Sequence, residues 1–182
     1  MSVTLEQLLR SRDERVEHQK DLLGAHPGKS LLCLTVQLPG PEKRNLTSLA
    51  IAKAGVDAIR ETFKPGYEEL RDLETGYEAY FLVALPATQA KSLACHIEDT
   101  HPLGRLMDID VVEMADPVGH DVSVLPGLTG HLRPISREEL GLEPRKCLLC
   151  DNEVRYCMRA KTHTVSELLD RIEEMVKVCY VS

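Results

Sequence analysis

Apolar positions recur along this chain with two different periods, and the switches between them divide it into elements. Leu5, Leu8, Leu9, Val16, Leu22 and Leu23 return at roughly helical spacing, and Thr4 with Gln7 three residues on supplies a capping box. This predicts an amphipathic helix that Gly24 and Pro27 close. Its polar face carries Arg10, Arg12, Arg15, His18 and Lys20 among Asp13, Glu14 and Glu17. Residues 30–38 form a β-rich apolar run, stopped by the rigid turn Pro39-Gly40-Pro41 and followed by a basic loop with Lys43 and Arg44. Asn45 caps a second predicted helix over residues 46–63, with Leu49, Ala52, Val56 and Ile59 on one face and Pro65-Gly66 at its end. Alternating segments 67–73 and 77–85 flank Glu74-Thr75-Gly76, the pattern of a β-hairpin.

Pro86 opens a third helix that turns Leu93, Ala94 and Ile97 inward and runs out near His101-Pro102, because the residue before proline disfavours the α region. Residues 106–114 read as a strand, and the glycines and prolines of residues 116–134 as a loop or short hairpin. After a cysteine-rich stretch, Thr164 and Glu167 form another capping box. It opens a final helix striped by Val165, Leu168, Leu169, Ile172, Met175 and Val176. No repeat, low-complexity tract or linker interrupts this order. The expectation is a single α+β domain over residues 1–182, with a mixed or antiparallel sheet flanked by helices and a helical C-terminal unit.

Composition narrows the class of partner. With 22 Lys or Arg against 29 Asp or Glu the net charge is −7, which excludes a globally basic nucleic-acid coat. Aromatic residues make up 4% and Trp is absent, so rings for stacking on nucleic acid are scarce and no nucleic-acid partner is expected. No apolar run approaches the ~18 residues that span a bilayer, and the first fifteen residues lack a signal-peptide core. A cytoplasmic protein without a membrane partner is therefore expected. The six cysteines then read as thiols or ligands, with Cys33 and Cys95 among apolar neighbours as core residues.

Chemistry concentrates in two stretches. In Gly104-Arg105-Leu106-Met107-Asp108-Ile109-Asp110-Val111, strand periodicity puts Asp108 and Asp110 on one face while Ile109 and Val111 turn to the core. Asp is disfavoured in strands, and two adjacent carboxylates repel unless a hard cation such as Mg2+ joins them. Gly104 would let a phosphate approach the backbone and Arg105 would neutralise it. Glu113, Asp116 and Asp121 are the nearby choices for a third carboxylate. Alternating polar and apolar residues on a half-exposed strand are the competing reading. The pattern Gly-x3-Asp-x-Asp is similar to the nucleotidyltransferase signature of the polymerase-β-like superfamily.

The second stretch is Cys147-x2-Cys150-x6-Cys157-x5-His163, four donors suited to zinc, with a buried cysteine pair as the other reading. Overlapping it, Arg155, Arg159, Lys161 and His163 come just before a helix start, an arrangement that suits either an anion site or a solvated basic loop.

Four segments in this order carry a wider likeness: Ser11-Arg12-Asp13-Glu14-Arg15, the run from His101 to Val111, Pro144-Arg145-x-Cys147-Leu148-Leu149-Cys150, and Cys157-x-Arg159-x-Lys161-Thr162-His163. The chain resembles, from about residue 5 to 175, the apo-citrate lyase phosphoribosyl-dephospho-CoA transferases, or citrate lyase holo-[acyl-carrier-protein] synthases. The resemblance implies transfer of the 2'-(5''-triphosphoribosyl)-3'-dephospho-CoA prosthetic group to a serine of the citrate lyase acyl carrier protein (gamma) subunit, with release of diphosphate. It implies a nucleotidyltransferase-like fold, Mg2+ on Asp108 and Asp110, and Arg105 on the triphosphate. Gly104, Arg12, Arg15, Arg145, Arg159, Lys161 and His163 are the further substrate-binding candidates, and Arg12 and Arg15 are candidates for docking an acidic carrier. A zinc-stabilised adaptor that only holds the carrier, and the same transfer to a different carrier such as that of malonate decarboxylase, are the competing functions.

Overall fold

The computed structural model describes residues 3–115 and 131–181. Helix α1 (Leu5–Ala25) starts at Thr4, whose hydroxyl accepts the Gln7 N–H at 3.2 Å while the Gln7 side chain accepts the Thr4 N–H at 2.8 Å. Strand β1 (Ser30–Val36) follows, then α2 (Leu46–Phe63), capped reciprocally by Asn45 and Ser48. The hairpin pairs β2 (Tyr67–Leu73) with β3 (Gly76–Val83), Leu73 opposite Gly76, so Glu74 and Thr75 alone make the turn. Helix α3 (Ala87–Thr100) and a short 3-10 turn at Gly104–Leu106 lead into β4 (Met107–Ala115). Strand β5 (His131–Pro134), a second 3-10 turn at Glu138–Leu140, α4 (Val154–Ala160) and α5 (Val165–Val181) complete the order.

The five strands form one sheet in the order β2-β3-β1-β4-β5, antiparallel throughout, which meets the expected α+β class. Strand β1 lies at its centre, and that is why its first five residues are all buried. Alternation along β1 and β4 sends side chains to two cores. Leu32, Leu34, Met107, Ile109 and Val111 face the larger one beneath α2, α3 and α5, while Leu31, Cys33 and Val112 face a smaller one that Leu22 and Leu23 of α1 seal. Cys33 and Cys95 are both 1% exposed and are core residues as expected.

The helix limits at 46–63 match the sequence reading, since Asn45 and Pro65 are strong boundary signals. Residues 116–134, read as a loop or short hairpin, end in a strand, and one helix was not expected. Strand β5 is an edge strand of four residues, too short to show a period, and α4 lies inside the cysteine-rich stretch, where ligand spacing masks helical spacing.

Candidate functional site

Asp108 and Asp110 project from β4 toward the α1 side of the sheet, opposite Thr35 and Cys33 of β1. Helix α1 is held over the other half of that face. Ser11 bonds Thr75 at 2.9 Å, the Arg15 guanidinium donates to Glu78 at 2.9 Å, and His18 meets Glu69 at 2.9 Å. The aspartates are thus left at the floor of a cleft with two lobes, both lined by Asp108 and Asp110. One lobe, about 420 Å³, lies between α1 and the loop after β1 and is lined by Arg12, Arg15, Gln19, Gln37 and Lys43. The other, about 380 Å³, runs along β4 and is lined by Lys91, Glu98, Arg137, Arg145 and Arg155.

The second lobe exists because, among the described residues, β5 pairs with Val112–Ala115 and no strand covers the aspartate-bearing half of β4 on that side. A buried strand edge needs partners for its peptide groups. Charged side chains supply them: Lys91 donates to the Ile109 carbonyl at 2.8 Å, Glu98 accepts the Ile109 N–H at 2.8 Å, and Arg145 donates to the Met107 carbonyl at 2.8 Å. Glu98 is 1% exposed, and its charge is balanced by Arg145 at 2.5 Å and Arg137 at 3.3 Å. Removing one partner of such a buried network costs about 3–5 kcal/mol, so the backbone under the aspartates is rigidly fixed.

Asp110 is open to the solvent of the cleft, yet the protein walls strip its hydration, and the neighbouring Asp108 charge adds to that burial. Together they hold its carboxyl above the usual range, with Lys91 opposing. Asp108 accepts the Gln37 side-chain N–H at 2.8 Å and lies 3.8 Å from Arg145. Of the expected third carboxylates, Glu113 lies on the opposite face of the strand and accepts from Arg133 at 2.8 Å; Asp116 and Asp121 fall outside the described residues.

Several expected phosphate contacts take other places. A Cβ on Gly104 would lie 2.4 Å from the Ile97 carbonyl oxygen, so this glycine admits the end of α3 rather than a phosphate. Arg105 donates to the Lys146 carbonyl and, at 2.9 Å, to that of Cys147, tethering the cysteine segment to the foot of β4. Arg145 is engaged by Glu98 and the Met107 carbonyl. Arg159 and Lys161 are exposed on or beside α4 and line neither lobe. The start of α5 is occupied by Glu167, which accepts the Thr164 N–H at 2.8 Å, and Asp170 and Glu174 make the adjoining surface acidic, which does not suit an anion. Of the cations in residues 155–163, Arg155 reaches the cleft.

His163 belongs with the thiols. The ligand atoms of Cys147, Cys150, Cys157 and His163 all lie within 4.8 Å of one another, with Cys150 Sγ 3.5 Å from Cys157 Sγ and 3.4 Å from His163 Nε2. Sulfurs about 2.3 Å from a tetrahedral zinc stand about 3.8 Å apart, so this group can hold a metal ion. Burial alone would raise the Cys147 thiol pKa, but backbone N–H groups of Leu149 and Cys150 and the Cys157 thiol outweigh it and lower it. Among the described residues, no other group of three or more His, Cys, Asp or Glu ligands comes this close.

Sequence reasoning passed over Lys91 and Glu98. Their signal was present: both fall in the inward stripe of α3 with Ala87, Ala90, Ala94 and Ile97, where charge is out of place unless paired. Gln37, Glu78 and Arg137 gave no comparable local signal.

Comparison with known proteins assigns the class. The family model described as apo-citrate lyase phosphoribosyl-dephospho-CoA transferase matches residues 3–179. A Vibrio cholerae protein named as a probable transferase of this kind is 37% identical over 96% of this chain and 92% of its own length. A Shigella boydii transferase is 35% identical over 96% and 89%, and a Streptococcus pyogenes relative 33% over 96% and 86%. The chain is accordingly a transferase. It belongs to the apo-citrate lyase phosphoribosyl-dephospho-CoA transferase family.

Proposed function

We propose that this protein joins 2'-(5''-triphosphoribosyl)-3'-dephospho-CoA to a serine of the citrate lyase acyl carrier protein (gamma) subunit and releases diphosphate, on a nucleotidyltransferase-like scaffold. The observation that carries the reading is the Asp108/Asp110 pair on a braced strand, bordering both lobes of one cleft in a chain matched by that family over residues 3–179. Burial first, and then the Asp108 charge, raise Asp110, and a divalent cation would offset both, so the donor set fits Mg2+ held by Asp108 and Asp110. When bound, such an ion would stabilise charge growing on the leaving diphosphate.

The protein's own groups then have separate tasks. Lys91, Glu98 and Arg145 fix the strand edge so that the carboxylates need not reorganise during reaction. The serine oxygen forms a bond to the α-phosphorus, the bond from that phosphorus to the diphosphate oxygen breaks, and the serine proton passes to an aspartate carboxylate. Arg105 acts by tethering the cysteine segment. Cys147, Cys150, Cys157 and His163 would hold a structural zinc, which would fix the segment that carries Arg155 to the cleft mouth. Free thiols throughout suit a reducing compartment, the cytoplasm.

For docking an acidic carrier, Arg15 is engaged by Glu78 and Arg12 lines the cleft, so these two side chains of the first helix have other places. Exposed Arg155, Arg159 and Lys161, beside exposed Tyr156 and Met158, give α4 the cationic and apolar character that suits such a partner. The adaptor reading leaves the braced aspartate pair without a task. The test is diphosphate release from triphosphoribosyl-dephospho-CoA with Mg2+. Release stoichiometric with apo carrier, and abolished by a chelator, is expected. No release with a folded enzyme and competent carrier would refute the proposal.

A further inference from the structure

The two lobes of the cleft treat their cations differently. In the lobe along β4, Lys91, Arg137 and Arg145 are engaged by protein acceptors, the Ile109 carbonyl, Glu98 with Asp99, and Glu98 with the Met107 carbonyl, and Arg155 at its mouth is the lining cation without a carboxylate partner among the described residues. In the lobe under α1, Arg15 is paired with Glu78, but Arg12 and Lys43 have no carboxylate partner among the described residues. Lys43 donates to the Leu38 carbonyl at 2.5 Å, which holds its ammonium in the lobe without cancelling its charge. Its neighbour in the same loop, Arg44, is by contrast clamped by both oxygens of Asp72 at 2.7 and 2.8 Å. Burial first, and then the Arg12 charge, depress the Lys43 ammonium pKa. Two like charges thus face one lobe, Lys43 partly desolvated and Arg12 exposed at its rim, and a multivalent anion would relieve their repulsion. Gln37, which donates to Asp108 at 2.8 Å, adds a neutral amide between that pair and the aspartates, and Thr35 and Thr75 add hydroxyls.

We propose that the lobe closed by Arg12 and Lys43 is a polyphosphate site, which seats the diphosphate end of the donor with its scissile phosphorus toward Asp108 and Asp110. This rests on the transfer reading for the donor's identity, though not for the lobe's affinity for polyphosphate. It assigns Lys43, whose loop sequence alone marked only as basic, to the leaving group. It also leaves the lobe along β4 for the acceptor, on the opposite side of the aspartates.

Calorimetric titration of the intact protein with inorganic diphosphate in the presence of Mg2+ tests the site without carrier or donor. Saturable binding by the wild type is expected, weakened about tenfold or more in Lys43→Met and in Arg12→Gln, as loss of a charge-assisted hydrogen bond requires, and unchanged in Arg60→Gln, whose side chain pairs with Glu68 outside both lobes. Lys43→Met also gives up the bond to Leu38. Arg12→Gln disturbs no described bond, so it keeps the test decisive should the lysine variant misfold. Absence of saturable binding in the wild type, or equal binding by a folded Arg12→Gln, would overturn the proposal. Arginine- and lysine-dependent diphosphate binding without any carrier modification would refute the transfer reading and leave the polyphosphate site standing.

Discussion

Asp108 with Asp110 and the Cys147, Cys150, Cys157 and His163 group are both gatherings of metal-prone ligands, yet the fold holds them in opposite ways. The aspartates ride on a β-strand hydrogen-bonded to β1 on one side and braced by Lys91, Glu98 and Arg145 on the other. Their positions exist before any ion arrives, and the remaining repulsion between them is stored in the site. The thiols lie on irregular chain and a seven-residue helix, joined to β4 through Arg105 and to their own turn through the Cys147 N–H bond to Asn152 at 2.7 Å. Here an ion would complete the structure. The contrast teaches that carboxylates braced by strand hydrogen bonds are set for turnover, while thiols gathered on irregular chain are set to be stabilised by an ion they would hold.

Neutralising one aspartate should produce the largest effect. Asp108→Asn or Asp110→Asn would remove the cation stabilisation proposed for this pair, about 4 kcal/mol or roughly a thousandfold in transfer rate. Relief of repulsion should leave the unfolding midpoint equal or raised. A lowered midpoint with retained rate would invert the comparison. Glu98→Ala strands Arg145 and Arg137 against a buried strand edge and should cost about 3–5 kcal/mol in denaturant unfolding. A change under about 1 kcal/mol would show that the edge is not braced as described. Cys150→Ser should abolish bound zinc, measured by elemental analysis, and lower the midpoint by several degrees while the transfer rate falls only modestly below that midpoint. Full zinc content in this variant would remove Cys150 from the ligand set.

A smaller effect concerns pH. His101 Nδ1 accepts the Leu103 N–H at 3.0 Å, at the entry to the 3-10 turn that precedes the aspartates. Burial lowers the His101 pKa below its ordinary 6.5, so the folded state favours the neutral ring. The stability this contributes is present above pH 6.5 and is lost as pH falls through the depressed value. His101→Asn should therefore flatten part of the decline in unfolding midpoint between about pH 7 and 5. An unchanged slope would show that the ring is not linked to folding.

What sequence made legible follows the same division. The period of two on β4 put Asp108 and Asp110 on one face, because strand geometry allows nothing else. The spacing of Cys147, Cys150, Cys157 and His163 placed four ligands together, because short loops between soft donors leave few arrangements. Roles that depend on distant partners were not legible. Arg105 and Arg145 read as phosphate contacts from charge alone, and only the fold shows the carbonyls and the Glu98 carboxylate that engage them. Gly104 likewise owes its lack of a side chain to α3, which contacts it only through tertiary packing.

The most direct test of the claim that the carboxylate pair, and not the cysteine cluster, carries the chemistry is the intact mass of apo citrate lyase carrier after parallel incubations. Wild type, Asp108→Asn and Cys150→Ser would each be given Mg2+ and triphosphoribosyl-dephospho-CoA below the lowest unfolding midpoint. A gain of one prosthetic group with wild type and Cys150→Ser, and none with Asp108→Asn over the same time, is the predicted result. Carrier modified at the wild-type rate by Asp108→Asn would contradict it.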